Sequence, residues 1–485
     1  MFDKIKELTK DTALYGISTI IGRFLSFILV PFYTNVFTTE QFGIFSYIFA
    51  FLAFANIVYI YGMDAAFMKY ATSEEYEKKK VYSTAYLSSF VTTILFSVIL
   101  FFNYEWIASS LDFLNYSHIF LYVVAILFLD SSSLIPFANL RLERKAKKFA
   151  TIKIVNIIIN VALNLILILK YKFGIEAIFI STLVASLFSF VVLLPDIFSN
   201  LTFSIEKKYL KKLLKFGIPY LPASMAAMMV QMIDVPIIRE LTNESTLGIY
   251  RANYKLGIFM MLFVAMFNYA WQPFFLTNAK EENAKQIFSK VLSLFLIASS
   301  FIWIILSLFI EDFASIEFLN DKTIIGHQYL VGIHIVPIIL LAYIFHGLYV
   351  NFTAGIYLEE KTKYLPAITG VGAVVNIISN FVLVPKIGIM GGALATLFSY
   401  VVMSIGIYFV AQKFYKVKYE YALVGKVFLI IAIVGSLFYY FTFNESIDFL
   451  TKLGLLFLYF ILLFSLRVIK ASEIKTTVNL LLKRK

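Results

Sequence analysis

The sequence predicts an all-α polytopic membrane protein of about fourteen transmembrane helices. Twelve of these form two six-helix lobes related by a parallel internal repeat, and two more follow at the C-terminal end. Three observations predict this. Of 485 residues, 60% are hydrophobic and only 15% charged, with a mean hydropathy of +0.84; a soluble globular chain is nearer ~45–50% apolar and ~25% charged. The apolar residues fall in runs of about twenty or more, the length of a helix across ~30 Å of hydrocarbon, rather than in the alternating ~10-residue strands of a membrane barrel. Segments from the first half of the chain recur in the second.

Fourteen apolar segments lie near residues 12–36, 41–62, 82–103, 117–137, 149–170, 174–195, 212–238, 247–275, 287–310, 328–352, 364–385, 388–410, 422–442 and 447–466. No small-residue cleavage site precedes the first, so the N-terminal segment is expected to be retained. If the N-terminus is cytoplasmic, most Lys and Arg fall in inner segments. The outer connections carry only Lys170, Lys172, Arg239, Lys322 and Lys386. This bias predicts a multi-pass protein of the cytoplasmic membrane with both termini inside. It also accounts for the net charge of +12 without invoking nucleic acid.

The repeat is visible in two places. "ILVPFYTNVFTTEQFGI" from Ile28 aligns without gaps on "IDVPIIRELTNESTLGI" from Ile233, sharing Val30-Pro31 with Val235-Pro236 and Gly43-Ile44 with Gly248-Ile249. The segment from Arg141 to Asn164 aligns on Tyr357 to Asn380 with eight of twenty-four positions identical, Asn160 and Asn164 matching Asn376 and Asn380. Downstream, Gly174-Ile175 matches Gly388-Ile389 and Thr182 matches Thr396. The unit is six helices, an even number, so the copies share one orientation. The expected divisions are a first lobe at 1–200, a second at 207–412, and an appended helix pair with a basic tail at 420–485.

The paired asparagines lie four apart, on one helix face, and are expected to hydrogen-bond neighbouring helices. Basic residues inside the spans read differently. An ionisable group at membrane depth costs ~2.5–3.5 kcal/mol on insertion scales. Arg23 lies in the first segment, and Arg251 and Lys255 lie one turn apart in the eighth, where the first copy has Ser46 and Ala50. A charge needed only to hold the lobe together belongs in both copies. Arg23, Arg251 and Lys255 are therefore candidates to line a cavity between the lobes, with Arg239 at its outer mouth. Arginine suits phosphate through its planar fork, and lysine adds a point charge. Asp234 and Asp130 also lie within spans and are candidates to bind a coupling cation, Na+ or H+, or to pair with a base.

No cysteine is present, which excludes disulfides, thiolate metal sites and a cysteine nucleophile. His334 and His346 are twelve residues apart, which is no metal spacing. No P-loop, Ser-His-Asp order or HExxH occurs, and no resident cofactor is expected. A glycan polymerase or ligase needs a large outer loop, and the longest, around Glu311 to His327, is short.

The segments "LYGISTIIGRFLSFILVPFYTNVFTTEQFGIFSYIFAF", "NVALNLILILKYKFGIEAIFIST" and "NIISNFVLVPKIGIMGGALAT" resemble the polysaccharide-transport, or oligosaccharide flippase, family. Its superfamily also holds the multidrug/toxin extrusion (MATE) transporters and the lipid II flippases. The resemblance covers most of residues 10–410. It implies a MATE-like, V-shaped pair of lobes working by alternating access. The substrate it implies is an undecaprenyl-pyrophosphate-linked oligosaccharide, moved from inner to outer leaflet for O-antigen, capsule or exopolysaccharide assembly. Membrane lipids and polysaccharide polymerase machinery are its implied partners. The alternative is an ion-coupled drug or metabolite antiporter of the MATE type, but segment 12–36 lacks the acidic residue that branch relies on. One departure from the repeat is Glu176, where the second copy has Met390.

Overall fold

A computed structural model describes residues 27–279, 281–319, 321–444 and 447–468, and these are almost entirely helical. The first lobe contains α1 (Phe27–Val36), α2 (Thr39–Ile60), α3 (Met63–Ala71), α4 (Lys78–Phe102), α5 (Tyr104–Ser110), α6 (Ser117–Leu142), α7 (Ala146–Leu169) and α8 (Glu176–Asn200). The second contains α9 (Lys207–Met232), α10 (Asp234–Leu241), α11 (Glu244–Tyr254), α12 (Ile258–Asn278), α13 (Ala284–Ala314), α14 (Val336–Leu358), α15 (Leu365–Ile387) and α16 (Ile389–Phe414). The appended pair is α17 (Tyr421–Phe443) and α18 (Phe449–Ser465). Twelve described spans are long and apolar enough to cross a membrane, against the fourteen segments expected; α18 and the described part of α1 are shorter.

Matched positions of the repeat adopt matched structures. Thr38 caps α2 through its Oγ1, and the matched Asn243 caps α11 through its Oδ1. α6 ends at Leu142 and α14 at the matched Leu358. Two residues later, Arg144 and Glu360 are both left-handed, at φ 52° and 54°. The seventh and eighth segments differ from the continuous helices expected. α9 gives way to α10 at Ile233, beside Pro236, whose missing N–H cannot bond the carbonyl one turn back. The eighth tightens into a 3₁₀ turn at Lys255–Gly257 between α11 and α12; such a mid-helix turn marks a hinge or strain.

The lipid-facing surfaces are apolar. On α15, Val371, Val374, Ile378 and Phe381 are exposed at helical spacing, while Gly372, Asn376 and Asn380 are buried behind them. With no apolar driving force inside a bilayer, small residues and hydrogen bonds hold helices together. The paired asparagines do this in both lobes. Asn164 Nδ2 donates to the Asn160 carbonyl at 2.9 Å, and Asn380 Nδ2 to that of Asn376 at 3.0 Å. Asn164 accepts from the Tyr33 hydroxyl on α1, Asn160 donates to Thr182 on α8, and Asn376 donates to the Val230 carbonyl on α9. The anomalous Glu176 is explained by His118, whose Nε2 lies 2.6 Å from its carboxylate across the α6–α8 contact.

The lobes meet through a pseudo-twofold crossing of α2 and α11. A Cβ on Gly43 would lie 1.8 Å from the Glu244 carbonyl oxygen, and one on the matched Gly248 would lie 1.8 Å from that of Thr39. Only glycine permits this approach. Thr39 and Ser245 hydroxyls meet beside it at 2.6 Å. The connection before α14 clamps the same end. Asn35 Nδ2 donates to the Thr323 carbonyl, and the Gly326 N–H to Thr34 Oγ1. Gln328 Nε2 and the Tyr329 hydroxyl both donate to the Phe37 carbonyl, satisfying the end of α1 from the other lobe.

At the opposite, lysine-rich face the lobes touch again. Gly62, at φ 73°, packs on Gly217 of α9, and the Lys69 ammonium sits 4.1 Å from the Phe216 ring centroid. Lys212 donates to the Tyr76 hydroxyl. On the same face, Lys78 and Lys145 flank Glu143 at 3.1 and 2.8 Å. Partial burial opposes its ionisation, yet these lysines and Asn139 hold its carboxyl down to about 2.

The crossing predicts a simple cross-link. The chain has no cysteine of its own, so Thr39→Cys with Ser245→Cys should form a disulfide under mild oxidant, detectable by mass spectrometry of the linked peptides. No linked peptide would contradict the α2–α11 contact.

Candidate functional site

Two adjoining cavities lie between the lobes at the middle of the spans, of about 600 and 370 Å³. Both fall within the range of small-molecule sites, roughly 300–1,000 Å³. They share Asn156, Ile157, Met232, Arg251 and Lys255 as walls. The larger adds Lys153 and Gln231, together with Tyr254, Tyr343, His346 and Tyr400. The smaller adds Tyr33, Ser46, Asn160 and Thr182 from the first lobe.

Arg251 is placed by α11, one turn before the 3₁₀ turn that carries Lys255. It is buried, at 8% exposure. Its Nη2 reaches the Met232 sulfur, at 3.6 Å, and its guanidinium carbon lies 5.1 Å from the Tyr254 ring centroid. Its Nε and Nη1 have no hydrogen-bond partner among the described residues. Lys255 lies over the rings of Phe42 and Phe45, at 5.4 and 6.0 Å from their centroids. Among the described residues, neither cation has a carboxylate within 4.0 Å. A buried polar group left unpaired costs ~1–3 kcal/mol, more when charged, so such groups call for an explanation.

Lys153 on α7 is the third cation of this cavity, and sequence reasoning passed over it. It is exposed to the cavity, with its ammonium 4.2 Å from the Phe137 ring centroid. Its matched residue in the second copy is Thr369. The same asymmetry that singles out Arg251 and Lys255 therefore applies to it. It was masked by the run of loop lysines just before it, Lys145, Lys147 and Lys148.

The other expected residues fall elsewhere. Arg23 lies outside the described residues. Arg239 does not line either cavity. It is held by Glu244 at 2.9 Å, Asp112 at 3.5 Å and Glu240 at 3.6 Å, and it packs over Tyr47 and Phe113 of the first lobe. Its surroundings are those of an inter-lobe clamp with its charge already balanced. Asp234 is buried at the start of α10, accepting from the Tyr250 hydroxyl at 2.6 Å through Oδ2, while its Oδ1 has no partner among the described residues. Asp130 on α6 faces Ser186 and Lys153. Neither acid lines a cavity. Among the described residues, no group of three or more His, Cys, Asp or Glu that could hold a metal ion occurs.

The arrangement offers an anion with two or three oxygen acceptors the neighbouring cations Arg251 and Lys255, with Lys153 on the wall of the same cavity. Inorganic pyrophosphate should therefore raise the melting temperature of the purified protein by a few degrees. Arg251→Gln should remove most of that shift, and Arg239→Gln should retain it. An equal shift in wild type and Arg251→Gln would place the anion elsewhere.

The family model described as "Polysaccharide biosynthesis protein" matches residues 34–311. No curated protein sequence matches the chain. Among solved structures, the lipid II flippase MurJ in an inward closed conformation is similar at a TM-score of 0.72 and 18% identity, covering 93% of this chain and 98% of its own. An inward-facing multidrug resistance MATE family transporter matches at 0.66 and 11% identity, over 81% of this chain and 94% of its own. A transporter of the same superfamily from Pyrococcus furiosus, described as having a binding pocket of reverse polarity, matches at 0.58 and 12% identity, over 84% and 95%. At such identities the likeness shows the fold, and the two-lobe fold is that of these membrane transporters. The family match spans more than half of the chain, which therefore belongs to the polysaccharide biosynthesis protein family.

Proposed function

We propose that the chain moves an undecaprenyl-pyrophosphate-linked oligosaccharide from the inner to the outer leaflet of the cytoplasmic membrane, for assembly of O-antigen, capsule or exopolysaccharide. The observation that carries this reading is the buried Arg251 with two unpartnered nitrogens, beside Lys255 and Lys153, in a cavity between the lobes. A pyrophosphate supplies the acceptors these cations lack, and Arg251 can bind it bidentately. The family supports a polysaccharide precursor as cargo.

In this reading the N-terminal and C-terminal segments face the cytoplasm, and the lysine-rich face is the inner one. The α2–α11 crossing and the Gly326–Tyr329 clamp then close the outer end. Movement breaks those contacts while the cavity keeps hold of the phosphate, and reforms them after release. The 3₁₀ turn at Lys255 and the α9–α10 break sit beside the cations, where a small rotation redirects them.

Each intramembrane acid lies in the field of one cavity cation, Asp130 with Lys153 and Asp234 with Arg251. A proton or Na+ taken up at either acid removes that opposing field and strengthens the cation's hold on the phosphate. This gives a physical basis for coupling to H+ or Na+. A drug antiporter of the MATE type is less well served, because the cavity wall carries three cations and no carboxylate among the described residues.

Replacing Arg251, Lys255 and Lys153 singly by Ala should reduce surface polysaccharide at least tenfold, a loss equivalent to ~1.4 kcal/mol or more of transition-state stabilisation. The protein should still reach the membrane in normal amount. Normal polysaccharide in all three variants would remove the cavity from the mechanism.

A further inference from the structure

The larger cavity has a second, aromatic wall, built from α14 and α16. There the rings of His346 and Tyr400 lie 4.9 Å apart between centroids, and Tyr343 lies 6.2 Å from Tyr400 and 6.5 Å from His346. The repeat shows that the fold does not require these rings. α6 and α14 end at matched leucines and turn at matched left-handed residues, so the register of the aligned segment extends back along both helices. It pairs His346 with Asp130. On α8 and α16, the matched Thr182 and Thr396 each donate Oγ1 to the carbonyl four residues earlier, and that register pairs Tyr400 with Ser186. Asp130 and Ser186 face one another in the first lobe, as His346 and Tyr400 do in the second.

The same helix pair is thus closed by an acid and a hydroxyl in one lobe and by two rings in the other. The acid sits behind Lys153, at the charged side of the cavity. The rings line the second-lobe side, where His346 is half-buried, and Gln231 on α9 is exposed in the same cavity. The cavity therefore has one pole for an anion and one for a flat group with an apolar face and a polar rim.

A pyranose ring has that character: its axial C–H face suits an aromatic ring, and its hydroxyls suit an amide and phenol edges. We propose that His346 and Tyr400, with Tyr343 and Gln231, form a sugar subsite that takes the phosphate-proximal pyranose of the lipid-linked substrate. This rests on the flippase reading above and deepens it. It makes the second lobe the selector of the sugar, while Lys153, Arg251 and Lys255 hold the phosphate whatever the sugar is.

The test compares ligands that differ only in the sugar. Purified protein in nanodiscs is titrated with undecaprenyl pyrophosphate and with its glucose- and N-acetylglucosamine-linked forms. Wild type should bind at least one glycosylated form roughly tenfold more tightly than the bare pyrophosphate, the scale of one good aromatic contact. That ratio should fall to near one in His346→Leu and in Tyr400→Leu, and Tyr400→Phe, which keeps the ring, should preserve it. Because the readout is a ratio within one variant, partial loss of active protein does not imitate it. A ratio that survives both Leu variants, or that is absent from wild type while the bare pyrophosphate binds, overturns the subsite. A wild type that binds none of the three ligands overturns the flippase reading itself.

Discussion

The constraint on which the rest of the structure depends is a buried guanidinium with no carboxylate within 4.0 Å among the described residues. Arg251 is held at mid-depth by α11, its Nε and Nη1 unpartnered among the described residues. At membrane depth such a group costs ~2.5–3.5 kcal/mol or more. A structural arginine has its cost offset locally, as Arg239 does with three carboxylates within 3.6 Å. For Arg251 no carboxylate among the described residues comes within 4.0 Å, and Asp234 acts on it only at longer range. In the proposed function an anion carried between the lobes completes the offset, on cavity walls that also hold Lys153 and Lys255.

The second organising feature is the way two copies of one unit touch. Gly43 and Gly248 let α2 and α11 approach at backbone distance through equivalent positions. The contact is polar as well as close, with Thr39 on Ser245 and the Phe37 carbonyl on Gln328 and Tyr329. Hydrogen bonds between helices in a membrane are each worth only ~0.6 kcal/mol on average. A seal built from several of them is firm when all are made and releases as a set. That behaviour suits the alternating gate of the proposed function.

Much of this was legible in the chain. The repeat, the glycine pair and the asparagine pairs all follow from local alignment, because they are positions the lobe fold itself demands. Charge asymmetry between the copies singled out Arg251 and Lys255, and both stand in the cavity walls. The same rule marks Lys153, which was hidden only because it continues a lysine-rich loop into the span. Arg239 shows the limit of that reasoning. Its partners Asp112 and Glu244 are far apart in sequence from each other, and only packing brings both to it. At Ile233 the sequence shows Pro236, which weakens the helix one turn back without fixing whether it bends or breaks, and at Lys255 nothing in the sequence fixes the 3₁₀ turn.

The most direct test of the central claim is transport in a purified system. In proteoliposomes holding a fluorescent undecaprenyl-pyrophosphate disaccharide, the fraction of label reachable by a membrane-impermeant quencher is followed in time. The account predicts exchange between leaflets in wild type, well above protein-free vesicles, and exchange at background with Arg251→Ala and Lys255→Ala combined. Wild-type exchange in that double variant, or background exchange in wild type, would contradict it.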